Sequence, residues 1–129
     1  MGKRFLIDTN VIIDYTSNLL PDQGIVFVEH IFSTDFITSV IVKIEALGYS
    51  EPLPEKMQLL AEFINHASIL PLDDAITLKT IDLRKSKKIK LGDAIIAATA
   101  LVHNLILISR NTADFINIEG LDIIDPHNM

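Results

Sequence analysis

Residues 4–12 read Arg-Phe-Leu-Ile-Asp-Thr-Asn-Val-Ile, and this stretch decides the fold. The apolar run at 4–7 stops at Asp8, which is typical of a short buried strand. Asp8, Thr9 and Asn10 are helix-capping residue types, and apolar residues at helical spacing follow as far as Leu19. The stretch therefore predicts a strand that passes into a helix through an acidic junction.

The same alternation continues along the chain. Strands are predicted at 35–38, 68–71, 105–108 and 121–124, helices at 22–32, 39–48, 57–64, 73–83 and 92–103, and a polar turn at 110–115. The helix from Asp73 is expected to bury Ala75, Leu78, Ile81 and Leu83. The helix from Gly92 is apolar nearly all round, which predicts a buried helix. Alternating strands and helices predict an α/β fold with a parallel sheet, in one domain over residues 1–129.

Composition narrows the classes of function. The chain has 129 residues, no cysteine, 49% hydrophobic residues and a mean hydropathy of +0.36, which excludes a disordered chain and every cysteine-based site. A metal would have to bind through oxygen or imidazole, which favours Mg²⁺ or Mn²⁺. The formal charge of -6 argues against nucleic-acid binding through bulk positive charge, but not against an enzyme that acts on nucleic acid through bound cations.

Neither a signal peptide nor a membrane span is predicted. The longest uncharged stretch, 94–109, has 16 residues, fewer than the roughly 20 that a membrane helix needs. We therefore expect a cytoplasmic protein with no membrane contact. The high apolar fraction also favours a dimer or a protein partner.

Four acidic residues stand out: Asp8 and Asp114 follow strands, Asp93 lies in the first turn of a buried helix, and Glu45 has apolar neighbours on both sides. Each also has a structural interpretation, because the aspartates could be caps or turn residues and Glu45 could pair with Lys43. If the four converge, their repulsion requires raised pKa values or divalent cations. A cluster of carboxylates that holds Mg²⁺ or Mn²⁺ suits phosphodiester cleavage by metal-activated water.

The ordered motifs resemble those of the PIN-domain ribonucleases, and most closely the VapC-type toxins of VapBC toxin–antitoxin pairs. The motifs are Leu-Ile-Asp8-Thr9-Asn10, Ile44-Glu45-Ala-Leu, Gly92-Asp93-Ala-Ile-Ile-Ala-Ala and Ser109-Arg110-Asn111-Thr-Ala-Asp114-Phe115. The resemblance runs from Phe5 to about Pro126. It implies an α/β/α sandwich around a parallel sheet, Mg²⁺- or Mn²⁺-dependent endoribonuclease activity, a homodimer and a cognate antitoxin.

By this resemblance, Asp8, Glu45, Asp93 and Asp114 are the catalytic and metal-binding acids. Thr9, Asn10, Ser109 and Asn111 fall on polar positions that orient ligands or water. Ser109 replaces the threonine of many members and keeps the hydroxyl. Val42 stands where many toxin members have threonine, so helper contacts to Glu45 are less firmly implied.

Six of the 11 basic residues lie between Lys79 and Lys90. They could form a solvated helix end, or they could contact RNA phosphates. Arg84, Arg110 and Lys90 are the candidates for substrate binding, and the two arginines are preferred because guanidinium clamps phosphate with two hydrogen bonds. The four histidines lack metal-ligand spacing, and we expect no function for them.

Other functions remain open at this stage. The chain could be an RNA-processing PIN nuclease outside any toxin–antitoxin pair, or a non-catalytic PIN-fold binding module. A phosphatase of the haloacid dehalogenase type is disfavoured, because Asn10 stands where that chemistry needs a second aspartate.

Overall fold

The computed structural model describes residues 3–129, and its elements follow the predicted alternation. The strands are β1 (Phe5–Ile7), β2 (Ile37–Ser39), β3 (Ser68–Leu70), β4 (Ile106–Ile108) and β5 (Ile123–Ile124). The helices are α1 (Thr9–Thr16), α2 (Asp22–Thr34), α3 (Val40–Gly48), α4 (Pro54–Ile64), α5 (Asp74–Ser86), α6 (Leu91–Val102) and α7 (Thr112–Phe115), and a 3₁₀ turn spans Pro126–Asn128.

All strand pairs are parallel. β4 lies between β1 and β5, with Ile7 opposite Ile108 and Ile108 opposite Ile124, and β2 pairs with β3. β2 lies against the free side of β1, where the Thr38 hydroxyl donates to the Ile7 carbonyl at 2.6 Å. The predicted α/β class with a central parallel sheet is confirmed, and the carboxyl ends of β1, β2 and β4 are brought to one edge.

Helix α6 is the buried helix that the sequence predicts. Residues 94–100 are all buried. The hydrogen-bonding need of the buried Thr99 hydroxyl is met within the helix, because it donates to the Ile95 carbonyl at 2.7 Å. Small side chains let this helix pack closely against α5 and β4. The burial of α6 fixes the position of its first turn, which carries Asp93.

The predicted apolar face of α5 is right for Leu83 but wrong for Ala75, Leu78 and Ile81, which are exposed. The helix buries Ile76, Thr80 and Leu83, whereas Leu78 is 65% exposed and Ile81 is 44% exposed. Asp73 caps the helix by accepting from the Ile76 amide at 2.9 Å, which sets the start of the helix. The sequence pattern did not reveal this buried stripe because its central residue, Thr80, is polar. The Thr80 hydroxyl donates to the Ile76 carbonyl at 2.7 Å, which satisfies it within the helix.

Two further local expectations fail. Helix α1 ends at Thr16 rather than reaching Leu19, since Asn18 takes a left-handed conformation with φ of 64°, and Leu19 is 65% exposed. The predicted polar turn at 110–115 contains the short helix α7. In the described part of the chain, no helix is long and apolar enough to cross a bilayer.

The C-terminal turn packs against α2 through a glycine. A Cβ atom on Gly24 would lie 2.1 Å from the Pro126 carbonyl oxygen, which is far inside contact distance. Gly48 in α3 has nothing within 4 Å of the same position, so it is a matched control.

We expect Gly24→Ala to lower the free energy of unfolding by about 1–3 kcal/mol, since overpacking outweighs the gain in helix propensity. Gly48→Ala should leave stability unchanged or raise it by up to about 1 kcal/mol. Urea denaturation of both variants measures the difference. A Gly24→Ala variant as stable as Gly48→Ala would contradict the close packing of α2 on the C-terminal turn.

Candidate active site

Asp8 is the buried centre of the acidic edge. Its amide donates to the Ile108 carbonyl at 2.9 Å, continuing the β1–β4 pairing by one residue, and its side chain is the N-cap of α1. The residue is only 3% exposed. Its Oδ1 accepts from the Thr9 amide at 2.7 Å. Strand pairing and capping therefore place one carboxylate at the junction of sheet and helix.

The other oxygen of Asp8 is held from β4. Asp8 Oδ2 accepts from the Ser109 hydroxyl at 2.7 Å and from Asn10 Nδ2 at 3.3 Å. Ser109 Oγ in turn accepts from the Asn111 amide at 3.0 Å. The four polar positions implied by the resemblance thus surround Asp8, with Asn111 contributing its backbone N–H.

Glu45 projects from α3 toward the same edge. Its Oε1 accepts from the Thr9 hydroxyl at 2.6 Å, and a Cβ atom on Gly92 would lie 3.1 Å from its Oε2. The carboxylate therefore spans from α1 to the first turn of α6, in a space that glycine leaves open.

The apolar sequence neighbours of Glu45 do not bury it. Glu45 is exposed and Ile44 is 60% exposed, whereas Ala46 is fully buried. Successive helical residues point about 100° apart, so sequence neighbours do not enclose the residue between them. Thr9, rather than an apolar pocket or Lys43, is the partner of Glu45.

Asp93 and Asp114 complete the set. Asp93 is the third residue of α6, where the helix dipole favours an anion, and Lys90 rather than Asp93 is the N-cap residue. Asp114 is exposed on α7. Asp8, Glu45 and Asp93 line one cleft of about 380 Å³, and Asp93 and Asp114 line a second of about 760 Å³. Asp93 is the residue that joins the two clefts.

The carboxylates interact electrostatically. Burial raises the pKa of Asp8 to about 6; the hydrogen bonds from Ser109 and Thr9 oppose this, and the charges of Glu45 and Asp93 add to it. Partial burial also raises the pKa of Asp93, and the charges of Asp114 and Glu45 contribute. A site that raises the pKa of its acids in this way favours either protons or bound cations.

The donor set suits a hydrated Mg²⁺ or Mn²⁺ ion. Within residues 3–129, no three acidic or histidine side chains converge closely enough to enclose an ion alone. Mg²⁺, however, usually keeps several waters and binds through one or two carboxylates. The Asp8 carboxylate has roughly four acceptor positions. Three of them accept hydrogen bonds from protein groups, which leaves one position on Oδ1 for an ion. All the candidate ligand atoms for the ion are oxygens, which are the hard ligands that Mg²⁺ and Mn²⁺ require.

The candidate phosphate-binding residues fall into two groups. Arg84 Nη1 donates to the Ile89 carbonyl at 2.8 Å, and Arg110 Nη1 forms an ion pair with Asp14 at 2.8 Å. Both guanidinium groups therefore have partners within the protein. Lys90 is exposed at the rim of the larger cleft, beside Asp93.

Sequence reasoning missed a second polar cluster, which reaches the smaller cleft through Asp14 and Arg110. Asp14 is 7% exposed and accepts from Arg110 Nη1, while its Oδ2 lies 2.7 Å from His127 Nε2. The Arg110 amide also donates to Asn10 Oδ1 at 3.0 Å. The cluster ties α1 and the loop after β4 to the C-terminal turn, so His127 is not incidental. Its separation of 113 residues from Asp14 left no sequence signal.

The raised pKa of Asp8 predicts a pH-dependent stability. With EDTA present, the contribution of this carboxyl is complete below its ordinary pKa of 3.8 and is lost as the pH rises through about 6. The free energy of unfolding of Asp8→Asn relative to the wild type should therefore rise between pH 4 and 7, by up to about 3 kcal/mol. Urea denaturation across this range measures it. A difference that is constant with pH would contradict the buried, ionisable Asp8.

Comparison with known proteins agrees with this geometry. A family model described as the PIN domain matches residues 5–121. A comparison with curated proteins finds no match.

Several solved structures share the fold. A toxin–antitoxin complex from Klebsiella pneumoniae is 30% identical, with 94% of this chain and 96% of that chain covered and a TM-score of 0.76. DNA-bound VapBC from Salmonella typhimurium is 25% identical, with 97% and 99% covered and a TM-score of 0.80. FitAcB from Neisseria gonorrhoeae is 24% identical, with 97% and 99% covered and a TM-score of 0.78. Because the family match spans most of the chain and includes every one of the four acids, the resemblance is confirmed: the chain belongs to the PIN-domain family.

Proposed function

We propose that this protein is a Mg²⁺- or Mn²⁺-dependent endoribonuclease, the VapC-type toxin of a toxin–antitoxin pair. The observation that carries the proposal is the placement of Asp8, Glu45, Asp93 and Asp114 along two clefts that meet at Asp93. Burial, with a smaller contribution from the neighbouring acids, raises the pKa of Asp8 and Asp93, and a divalent cation would favour their ionised forms. Asp8, Glu45, Asp93 and Asp114 are the proposed catalytic acids.

Asp8 and Asp93 would hold the cation, with Glu45 and Asp114 beside them. When bound, such an ion lowers the pKa of a coordinated water and neutralises charge on the phosphate. Asp8 is fixed for this role from three sides, since the Thr9 amide, the Ser109 hydroxyl and Asn10 all donate to it. The Thr9 hydroxyl orients Glu45 toward the first turn of α6. Because these hydrogen-bond donors are already in place, little free energy is needed to organise the site at the moment of reaction.

The toxin assignment is supported by the solved relatives. The Klebsiella pneumoniae structure is a toxin–antitoxin complex, and the Salmonella typhimurium structure is a VapBC complex bound to DNA. We propose by analogy that this chain binds a cognate antitoxin, forms a homodimer and works in the cytoplasm. The exposed apolar side chains on α5, Leu78 and Ile81, are consistent with a protein partner.

The variants Asp8→Asn and Asp93→Asn should each lose RNA cleavage by at least about a hundredfold, the usual cost of removing a group that stabilises developing charge. Asp74→Asn, at the far start of α5, is the control and should cleave as the wild type does. Cleavage of total bacterial RNA is followed on gels with Mg²⁺, with Mn²⁺ and with EDTA.

Expression in a bacterial host extends the test to the toxin assignment. The wild type should arrest growth, and Asp8→Asn should not. Co-expression of the proposed antitoxin, encoded by a gene next to that of this protein, should restore growth. Cleavage that survives in Asp8→Asn or in EDTA would overturn the nuclease mechanism. A harmless wild-type protein that still cleaves RNA would overturn only the toxin assignment, in favour of an RNA-processing nuclease.

A further inference from the structure

The larger cleft differs from the smaller one in the charges on its walls. Lys87, Lys88 and Lys90 come from the loop between α5 and α6, and Asp93 and Asp114 line the same cleft. The smaller cleft is lined by four acids, namely Asp8, Asp14, Glu45 and Asp93, and by Arg110 as its only cation among the described residues. The two clefts meet at Asp93, so the site has one cationic flank and one acidic flank.

The lysine loop is held in a defined shape. Arg84 Nη1 donates to the Ile89 carbonyl at 2.8 Å, the Lys87 amide donates to the Leu83 carbonyl at 3.0 Å, and the Ala94 amide donates to the Lys90 carbonyl at 2.9 Å. Arg84 thus supports the loop that presents the lysines. A loop that is already ordered loses little entropy when a ligand binds to it.

The three ammonium groups are available to a ligand. In the chain from residue 3 onward, none of Lys87, Lys88 and Lys90 makes an ion pair. Arg110, the cation of the smaller cleft, is paired with Asp14. The cleft volume of about 760 Å³ lies within the range of about 300–1,000 Å³ for pockets that hold organic ligands, so it exceeds the needs of an ion.

We propose that the cleft of Lys87, Lys88 and Lys90 binds the RNA backbone on one side of the scissile phosphate, and that the substrate footprint is therefore asymmetric about the cut. The inference rests on the proposed nuclease function, in which the scissile phosphate lies near Asp93. Phosphates on the lysine side gain charge neutralisation and release counterions. Phosphates on the other side meet no unpaired cation among the described residues that line the smaller cleft, because Arg110 there is paired with Asp14.

The experiment begins with an RNA in which the wild-type cut has been mapped, and with versions shortened from either end. The variant Lys87→Ala/Lys88→Ala is compared with the control Lys3→Ala/Lys56→Ala, which removes the same charge from exposed positions outside the cleft. Steady-state cleavage gives KM and kcat separately. Binding is measured by fluorescence anisotropy in the Asp8→Asn background, at several salt concentrations.

The cleft variant should raise KM several-fold with kcat unchanged. It should also reduce the slope of log K against log salt by about 1.4, or about 0.7 for each lost phosphate contact on a single strand. Shortening the RNA on one side of the cut should weaken binding to the otherwise unaltered protein, and it should have a smaller effect on the cleft variant, which keeps only Lys90. The control should match the parent protein throughout.

Two results would overturn the inference while leaving the nuclease function intact. One is a cleft variant with the KM and salt slope of the control. The other is an equal loss of affinity when the RNA is shortened on either side. If the wild type does not cleave RNA at all, the proposed function fails instead, and the two failures are distinguished.

Discussion

The burial of the Asp8 carboxylate is the constraint on which the site depends. The residue is at once the continuation of the β1–β4 pairing, the N-cap of α1 and the acceptor for Ser109 from the next strand. A carboxylate buried at this point costs free energy when ionised, as its pKa of about 6 indicates. The fold tolerates this cost because the surrounding hydrogen-bond donors satisfy the carboxylate and because two strands and a helix meet at this residue and hold it in place. An aspartate that lowers the stability of the fold when it is ionised is consistent with a site that binds a cation.

Much of this could be predicted from the sequence, because the decisive signals are local. The strand that stops before Asp8 and the apolar helix that carries Gly92 both follow from side chains within a few positions of one another. The parallel arrangement then follows from the alternation of strands and helices, and it places residues after β1 and β4 at one edge. The net charge of -6 is compatible with the proposed RNA substrate, since acids lie around one site and lysines without an ion pair in the described chain lie on its flank.

The rest depends on contacts between distant parts of the chain. The pairing of Asp14 with His127 joins residues 113 positions apart, and nothing near either residue signals it. The close approach of Gly24 to Pro126 is likewise a property of the assembled fold. The exposure of Glu45 does not follow from its apolar sequence neighbours, because helical geometry decides which residues enclose a side chain. The buried face of α5 was mispredicted because Thr80 occupies it, and a threonine breaks an apolar pattern while still satisfying its hydroxyl within the helix.

The central claim is that this acidic edge holds a divalent cation, and anomalous diffraction tests it most directly. Crystals grown near pH 7.5, above the pKa of Asp8, would be soaked in Mn²⁺ and measured where manganese scatters anomalously. We predict an anomalous peak at coordination distance from carboxylate oxygens of Asp8 and Asp93, and no peak there in crystals of Asp8→Asn. A Mn²⁺ peak away from these two carboxylates, or an unchanged peak in Asp8→Asn, would contradict the claim.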